Sequence, residues 1–67
     1  MRVFEFYGDA AYAGIAVLVA EKTVEEARKF LPKKGYGLTW DWTEGEQKYG
    51  LSYKGAPGII HEYSWAE

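Results

Sequence analysis

Aromatic and large apolar residues recur at every second position in three segments of the second half of the chain. Successive side chains on a β-strand point to opposite faces of the sheet, so a period of two predicts strands with an aromatic face. The alternating sets are Leu38, Trp40 and Trp42; Tyr49, Leu51 and Tyr53; and Ile59, His61, Tyr63 and Trp65. The spacing predicts strands over residues 37–43, 48–54 and 58–65.

The first half of the chain predicts two further strands. Residues 2–7 alternate around Phe4 and Phe6. Residues 14–21 are apolar on both faces, which is typical of a central strand. The glycine-bounded segment 8–14 between them predicts a hairpin loop.

One helix is predicted over residues 24–31. Thr23 is expected to cap its first turn, and Glu26 occupies the capping-box position three residues later. Pro32 and Gly35 are expected to end it. The helix carries an apolar stripe formed by Val24, Ala27, Phe30 and Leu31.

These elements predict an α+β protein with the order β-β-α-β-β-β. We expect a single domain over residues 1–67, in which a curved antiparallel sheet of about five strands packs on the helix. Residues 44–46 and 55–58 are expected to form turns. The predicted core consists of Phe4, Phe6, Ile15, Val17, Val19, Phe30, Leu31, Leu38 and Leu51.

The small size of the chain limits how it is stabilised. A domain of 67 residues buries only about 60% of the surface that its unfolded chain exposes. The absence of cysteine excludes disulfides and thiolate metal sites, and a single histidine excludes a histidine-rich site. We therefore predict no metal and no cofactor, and expect an aromatic core or self-association to stabilise the fold.

The predicted helix is too small to cover the predicted sheet. A helix of about nine residues is about 13 Å long, whereas five strands span about 24 Å. The sheet must therefore curl, dimerise, or expose an aromatic patch to a partner. Unpaired edge strands offer a route to a homodimer.

Charge and hydropathy argue against several kinds of partner. Eight basic and ten acidic residues give a net charge of −2, whereas nucleic-acid-binding proteins typically carry a basic surface. No segment has the length and apolarity of a membrane span. The N-terminus lacks a signal-peptide layout, so we take a cytoplasmic location as the default.

The aromatic residues predict a binding function. Trp and Tyr are favoured at interfaces because they bury a large area and keep a polar tip. We predict a binding surface for a protein partner that includes Tyr12, Trp40, Trp42 and Tyr53, although the pattern favours core positions for the two tryptophans. Capture of a planar ligand such as a nucleotide-derived signal, between aromatic rings at a dimer seam, is the second hypothesis.

The sequence offers few candidates for a catalytic site. His61 lies on an aromatic strand face, and the chain has no cysteine to act as its nucleophile. We predict a non-catalytic protein with no catalytic residues. An enzyme that uses His61 is the remote alternative.

One junction between a strand and a helix resembles those of known small proteins. Residues 17–27, Val-Leu-Val-Ala-Glu-Lys-Thr-Val-Glu-Glu-Ala, resemble a junction found in small phage and plasmid proteins. The chain as a whole resembles the mildly acidic, cysteine-free proteins with which phages disable bacterial defences, including anti-CRISPR proteins and signal-sequestering sponges. The resemblance implies a stoichiometric inhibitor and assigns no functional residue.

Overall fold

The chain folds mainly as β-structure around a four-stranded antiparallel sheet. The computed structural model describes residues 1–35, 37–48 and 53–66. The elements in chain order are β1 (Arg2–Ala10), β2 (Ala13–Glu21), α1 (Val24–Arg28), β3 (Lys34–Gly35), β4 (Leu38–Thr39), β5 (Asp41–Lys48) and β6 (Gly58–Ala66). The large sheet has the order β5-β1-β2-β6, and β3 pairs with β4 in a separate two-stranded sheet.

The predicted α+β class, with about five strands packed on one helix, is wrong. The protein is mostly β, with sheets of four and two antiparallel strands and a helix of five residues. The predicted strand over residues 37–43 is divided between β4 and β5. The division falls at Trp40, which belongs to neither strand and whose backbone N–H donates to the carbonyl of Lys33 at 2.9 Å. Of the strand predicted over residues 48–54, residues 49–52 lie outside the described residues.

Helix α1 begins where the sequence predicts and ends three residues early. The Thr23 hydroxyl accepts a hydrogen bond from the backbone N–H of Glu26 at 3.2 Å, so the predicted N-cap is confirmed. The N–H groups of residues 29–31 donate to carbonyls three residues back, which tightens the chain into a 3₁₀ turn. Pro32 disfavours a helical conformation at Leu31, the residue before it, so the helix does not continue past this turn. In the described part of the chain, no helix is long and apolar enough to cross a membrane.

The first turn is shorter than the predicted hairpin loop over residues 8–14. β1 and β2 stay paired along their whole lengths, which leaves Ala11 and Tyr12 as a two-residue turn. Gly8 and Gly14 are therefore strand residues. Each lies beneath a large side chain, which a Cβ atom at that position would overlap.

Residues 44–46 lie inside β5 and do not form the predicted turn. The register between β1 and β5 shifts between the pair Phe4–Gln47 and the pair Phe6–Glu44, so two residues of β5 oppose one of β1. This arrangement is a β-bulge, which bends the strand without ending it. The Glu-Gly-Glu sequence therefore marks a bulge.

Three of the strand predictions are confirmed, and the first of them, over residues 2–7, lies within β1 (Arg2–Ala10). The segment predicted over residues 58–65 forms β6, an edge strand of the large sheet. The segment predicted over residues 14–21 forms β2, which lies between β1 and β6 and is buried along most of its length. Apolar side chains on both faces of β2 therefore did indicate a central strand.

The core lies on the face of the large sheet that α1 covers. Its buried members are Phe6, Ile15, Val17, Val19, Ala27 and Trp40. Phe4, Leu31 and Leu38 pack against this cluster and are partly buried. Phe30 is 40% exposed, so its predicted core position is wrong, because the helix ends before it. Leu51, also predicted in the core, lies outside the described residues.

Candidate functional site

The sheet face opposite the core carries a set of exposed aromatic residues. Directly paired residues of antiparallel strands project from the same face, so the register identifies which side chains are neighbours. One row across the sheet consists of Thr43, Tyr7, Ala16 and Tyr63, and the next consists of Asp41, Asp9, Gly14 and Trp65. We call the surface formed by Tyr7, Tyr63 and Trp65 the aromatic face.

The aromatic face is accessible to a partner. Tyr7 is 42% exposed, Tyr63 is 60% exposed and Trp65 is 40% exposed. The ring centroids of Tyr63 and Trp65 lie 5.5 Å apart, with the planes tilted by 43°. Aromatic pairs at about 4.5–7 Å attract each other, so the two rings along β6 support each other's positions.

Two of the large rings lie over glycines of a neighbouring strand. A Cβ at Gly14 would overlap the indole of Trp65, and a Cβ at Gly45 would come 2.7 Å from Cε2 of Tyr7. The missing side chains let both rings pack directly on the backbone. Gly45 in the bulge of β5 and Gly14 in β2 therefore have the same role, which is to leave room for an aromatic ring.

A cleft of about 300 Å³ opens between these two rings. Its lining consists of Tyr7, Gly8, Asp9, Asp41, Thr43 and Trp65. This volume is at the lower end of the range of ligand cavities, about 300–1,000 Å³. The cleft therefore suits one side chain or a small ligand.

Hydrogen bonds hold the Tyr7 side of the cleft. The Tyr7 hydroxyl donates to Oε1 of Glu5 at 2.6 Å. The Thr43 hydroxyl donates to the Tyr7 carbonyl at 3.4 Å, which ties β5 to β1 beside the cleft. Tyr7 is thus held at its hydroxyl and at its backbone.

The two tryptophans predicted to bind a partner, Trp40 and Trp42, face the core. Trp40 is only 4% exposed and belongs to the buried cluster. Trp42 is partly buried, and its indole N–H donates to the Pro32 carbonyl at 2.8 Å. The two ring centroids are 6.4 Å apart. Trp42 therefore lies on the side opposite the aromatic face, whereas Trp40 lines a cavity of about 310 Å³ together with Trp65.

The two predicted binding tyrosines lie far apart. Tyr12 occupies the β1–β2 turn and is 77% exposed. Tyr53 is partly buried, and its backbone exchanges two hydrogen bonds of 3.0 Å with Met1, before the start of β1. A nine-residue strand spans about 30 Å between these two ends. The structure therefore does not bring the four predicted residues into one contact area.

His61 is exposed on β6, with its ring centroid 6.4 Å from that of Tyr63. It extends the row of rings along this strand. Within residues 1–35, 37–48 and 53–66, no three His, Asp or Glu side chains are grouped in a way that could hold a metal ion. The predicted absence of catalytic residues stays a prediction.

The predicted set omitted Tyr7, Tyr63 and Trp65. The signal for the last two was present, because residues 59–65 place rings on one strand face and Glu62 and Ser64 on the other. Tyr7 follows Phe6 directly and must therefore face away from the core if Phe6 is buried. The alternation alone does not say which aromatic strand faces outward.

Comparison of the chain with known proteins identifies no relative. No protein-family model, no curated protein and no solved structure matches the chain.

Proposed function

We propose that this chain is a small non-catalytic binding protein that acts stoichiometrically on a protein partner through the aromatic face. The observation that supports this proposal most is the exposure of Tyr7, Tyr63 and Trp65 on the sheet face opposite the core. Tyr and Trp are enriched among the residues that dominate protein–protein affinity. Because the chain resembles small phage and plasmid proteins, we propose that it is an inhibitor of the type used against bacterial defences.

The same surface supports a second candidate, capture of a small planar ligand. The cleft beside Trp65 has the volume of a small-ligand site, and bases stack on aromatic rings with about 1–3 kcal/mol each. A ligand that binds only the folded state raises the melting temperature. We expect nucleotides to leave both the melting temperature and the tryptophan fluorescence unchanged. A rise in melting temperature with quenching would instead favour the ligand-binding candidate.

The proposed function predicts that replacing Trp65 by alanine abolishes capture of the partner. Its indole is 40% exposed and forms a wall of the cleft, so truncation removes contact area while the core stays intact. Affinity capture from host lysate, followed by mass spectrometry, measures the effect. Phe30→Ala is the matched control, because Phe30 is equally exposed but lies beyond the end of α1 and outside the aromatic face. Equal capture by both variants would contradict the proposal.

We also propose that the chain self-associates through β6. An edge strand presents unpaired backbone N–H and C=O groups, and residues 61–66 of this edge are all exposed. We expect sedimentation velocity to show a dimer at high micromolar concentration that dissociates on dilution. A monomer throughout this range would contradict self-association and leave the partner-binding proposal unaffected.

A further inference from the structure

We propose that the cleft between Tyr7 and Trp65 receives an arginine side chain of the protein partner. This inference rests on the proposed function and specifies which chemical group of the partner the aromatic face recognises. It depends on two features of the cleft, the charge at one end and the rings that flank it. Asp9 and Asp41 supply the charge.

The two carboxylates are placed side by side by the sheet register. Asp9 and Asp41 are direct cross-strand partners of β1 and β5, and both are exposed. Like charges in this position destabilise a strand pair, and a cation between them relieves the repulsion. In the described part of the chain neither forms a salt bridge, whereas Glu44 pairs with Arg28 on the core side. The charge of the cleft is therefore complementary to a cation.

The rings of the cleft select the kind of cation. Trp65 and Tyr7 present aromatic surface next to the carboxylates. A guanidinium is planar, stacks on aromatic faces, and donates two parallel hydrogen bonds to carboxylates. An ammonium group is more strongly hydrated and lacks the planar fork. Arginine is thus the side chain that uses both features of the cleft.

The test is a titration followed by nuclear magnetic resonance. The full chain, labelled with nitrogen-15, is titrated with blocked glycine-arginine-glycine peptide and, separately, with the peptide in which neutral citrulline replaces arginine. We expect the arginine peptide to shift the indole N–H of Trp65 and the backbone N–H signals of Asp9 and Asp41. The citrulline peptide, which has the same shape without the charge, is expected to shift none of them. The same series with lysine is expected to bind more weakly.

Variants connect these shifts to the carboxylates. Asp9→Asn with Asp41→Asn is expected to weaken arginine-peptide binding by about tenfold and to stay folded, because it removes a repulsive pair. Glu21→Gln with Glu25→Gln removes the same charge away from the cleft and is expected to bind normally. Equal binding of the citrulline peptide, unchanged binding by the double asparagine variant, or no shift up to about 10 mM peptide would overturn the inference.

Different results would contradict the arginine inference and the proposed function. If the double asparagine variant keeps full affinity for the partner while Trp65→Ala loses it, the arginine inference is wrong and the proposed function stands. If Trp65→Ala also keeps full affinity, the proposed function itself is wrong.

Discussion

Replacing Phe6 by alanine is expected to lower the free energy of unfolding by about 3–5 kcal/mol. Phe6 is completely buried in the middle of β1, and it packs in the cluster that contains Val17, Ala27 and Trp40. Truncation leaves a cavity that strands paired on both sides of β1 cannot close. A domain of this length has about 3–10 kcal/mol of total stability, so the variant is expected to lose between about a third of its stability and all of it.

Urea unfolding followed by circular dichroism measures this loss, with Phe30→Ala as the matched control. Phe30 is the same residue type but is 40% exposed, so we expect its truncation to cost about 1 kcal/mol or less. A Phe30→Ala cost equal to that of Phe6→Ala would mean that the Phe30 ring is buried as deeply as the Phe6 ring. That result would contradict the exposed position of Phe30.

Local sequence signals predicted the starts of elements better than their ends. Thr23 caps α1 because a hydroxyl followed by an acidic first turn satisfies free backbone N–H groups, and this depends only on neighbouring residues. The end of the helix was predicted from the apolar stripe and Pro32, whereas the chain passes into hydrogen bonds three residues apart after Arg28. The Glu-Gly-Glu segment in β5 resembles a turn locally but pairs with β1 through a bulge.

The strand order was not predictable, because it depends on pairings between distant parts of the chain. β1 pairs with both β2 and β5, and β2 pairs with β6. The sequence indicated a two-faced central strand but did not identify its neighbours. Short connections suggested adjacent pairing, yet β5 and β6 lie at opposite edges of the sheet.

The sequence also did not show whether the aromatic face of each strand is buried or exposed. Trp40 and Trp65 both alternate with polar residues, yet Trp40 is 4% exposed and Trp65 is 40% exposed. Trp40 belongs to the buried cluster that also contains Ala27 of α1, whereas Trp65 lies on the opposite face of the sheet, over Gly14. An alternation with a period of two predicts that the two faces of a strand differ, whereas the burial of each face depends on what packs against it.

The double variant Tyr63→Ala with Trp65→Ala is expected to bind the captured partner at least about 30-fold more weakly than the wild type. Truncating a dominant interface residue costs about 2 kcal/mol or more, which corresponds to this factor. Both side chains are exposed on an edge strand, so we expect only a small change in the urea midpoint. The predicted effect is thus a loss of affinity without a loss of fold.

Titration calorimetry of the purified partner against wild type, the double variant and Phe30→Ala tests the function of the aromatic face most directly. We predict strong binding by the wild type and Phe30→Ala, and binding weakened by at least about 30-fold for the double variant. Circular dichroism on the same samples shows whether each is folded. A folded double variant with wild-type affinity would contradict the assignment of the aromatic face as the binding surface.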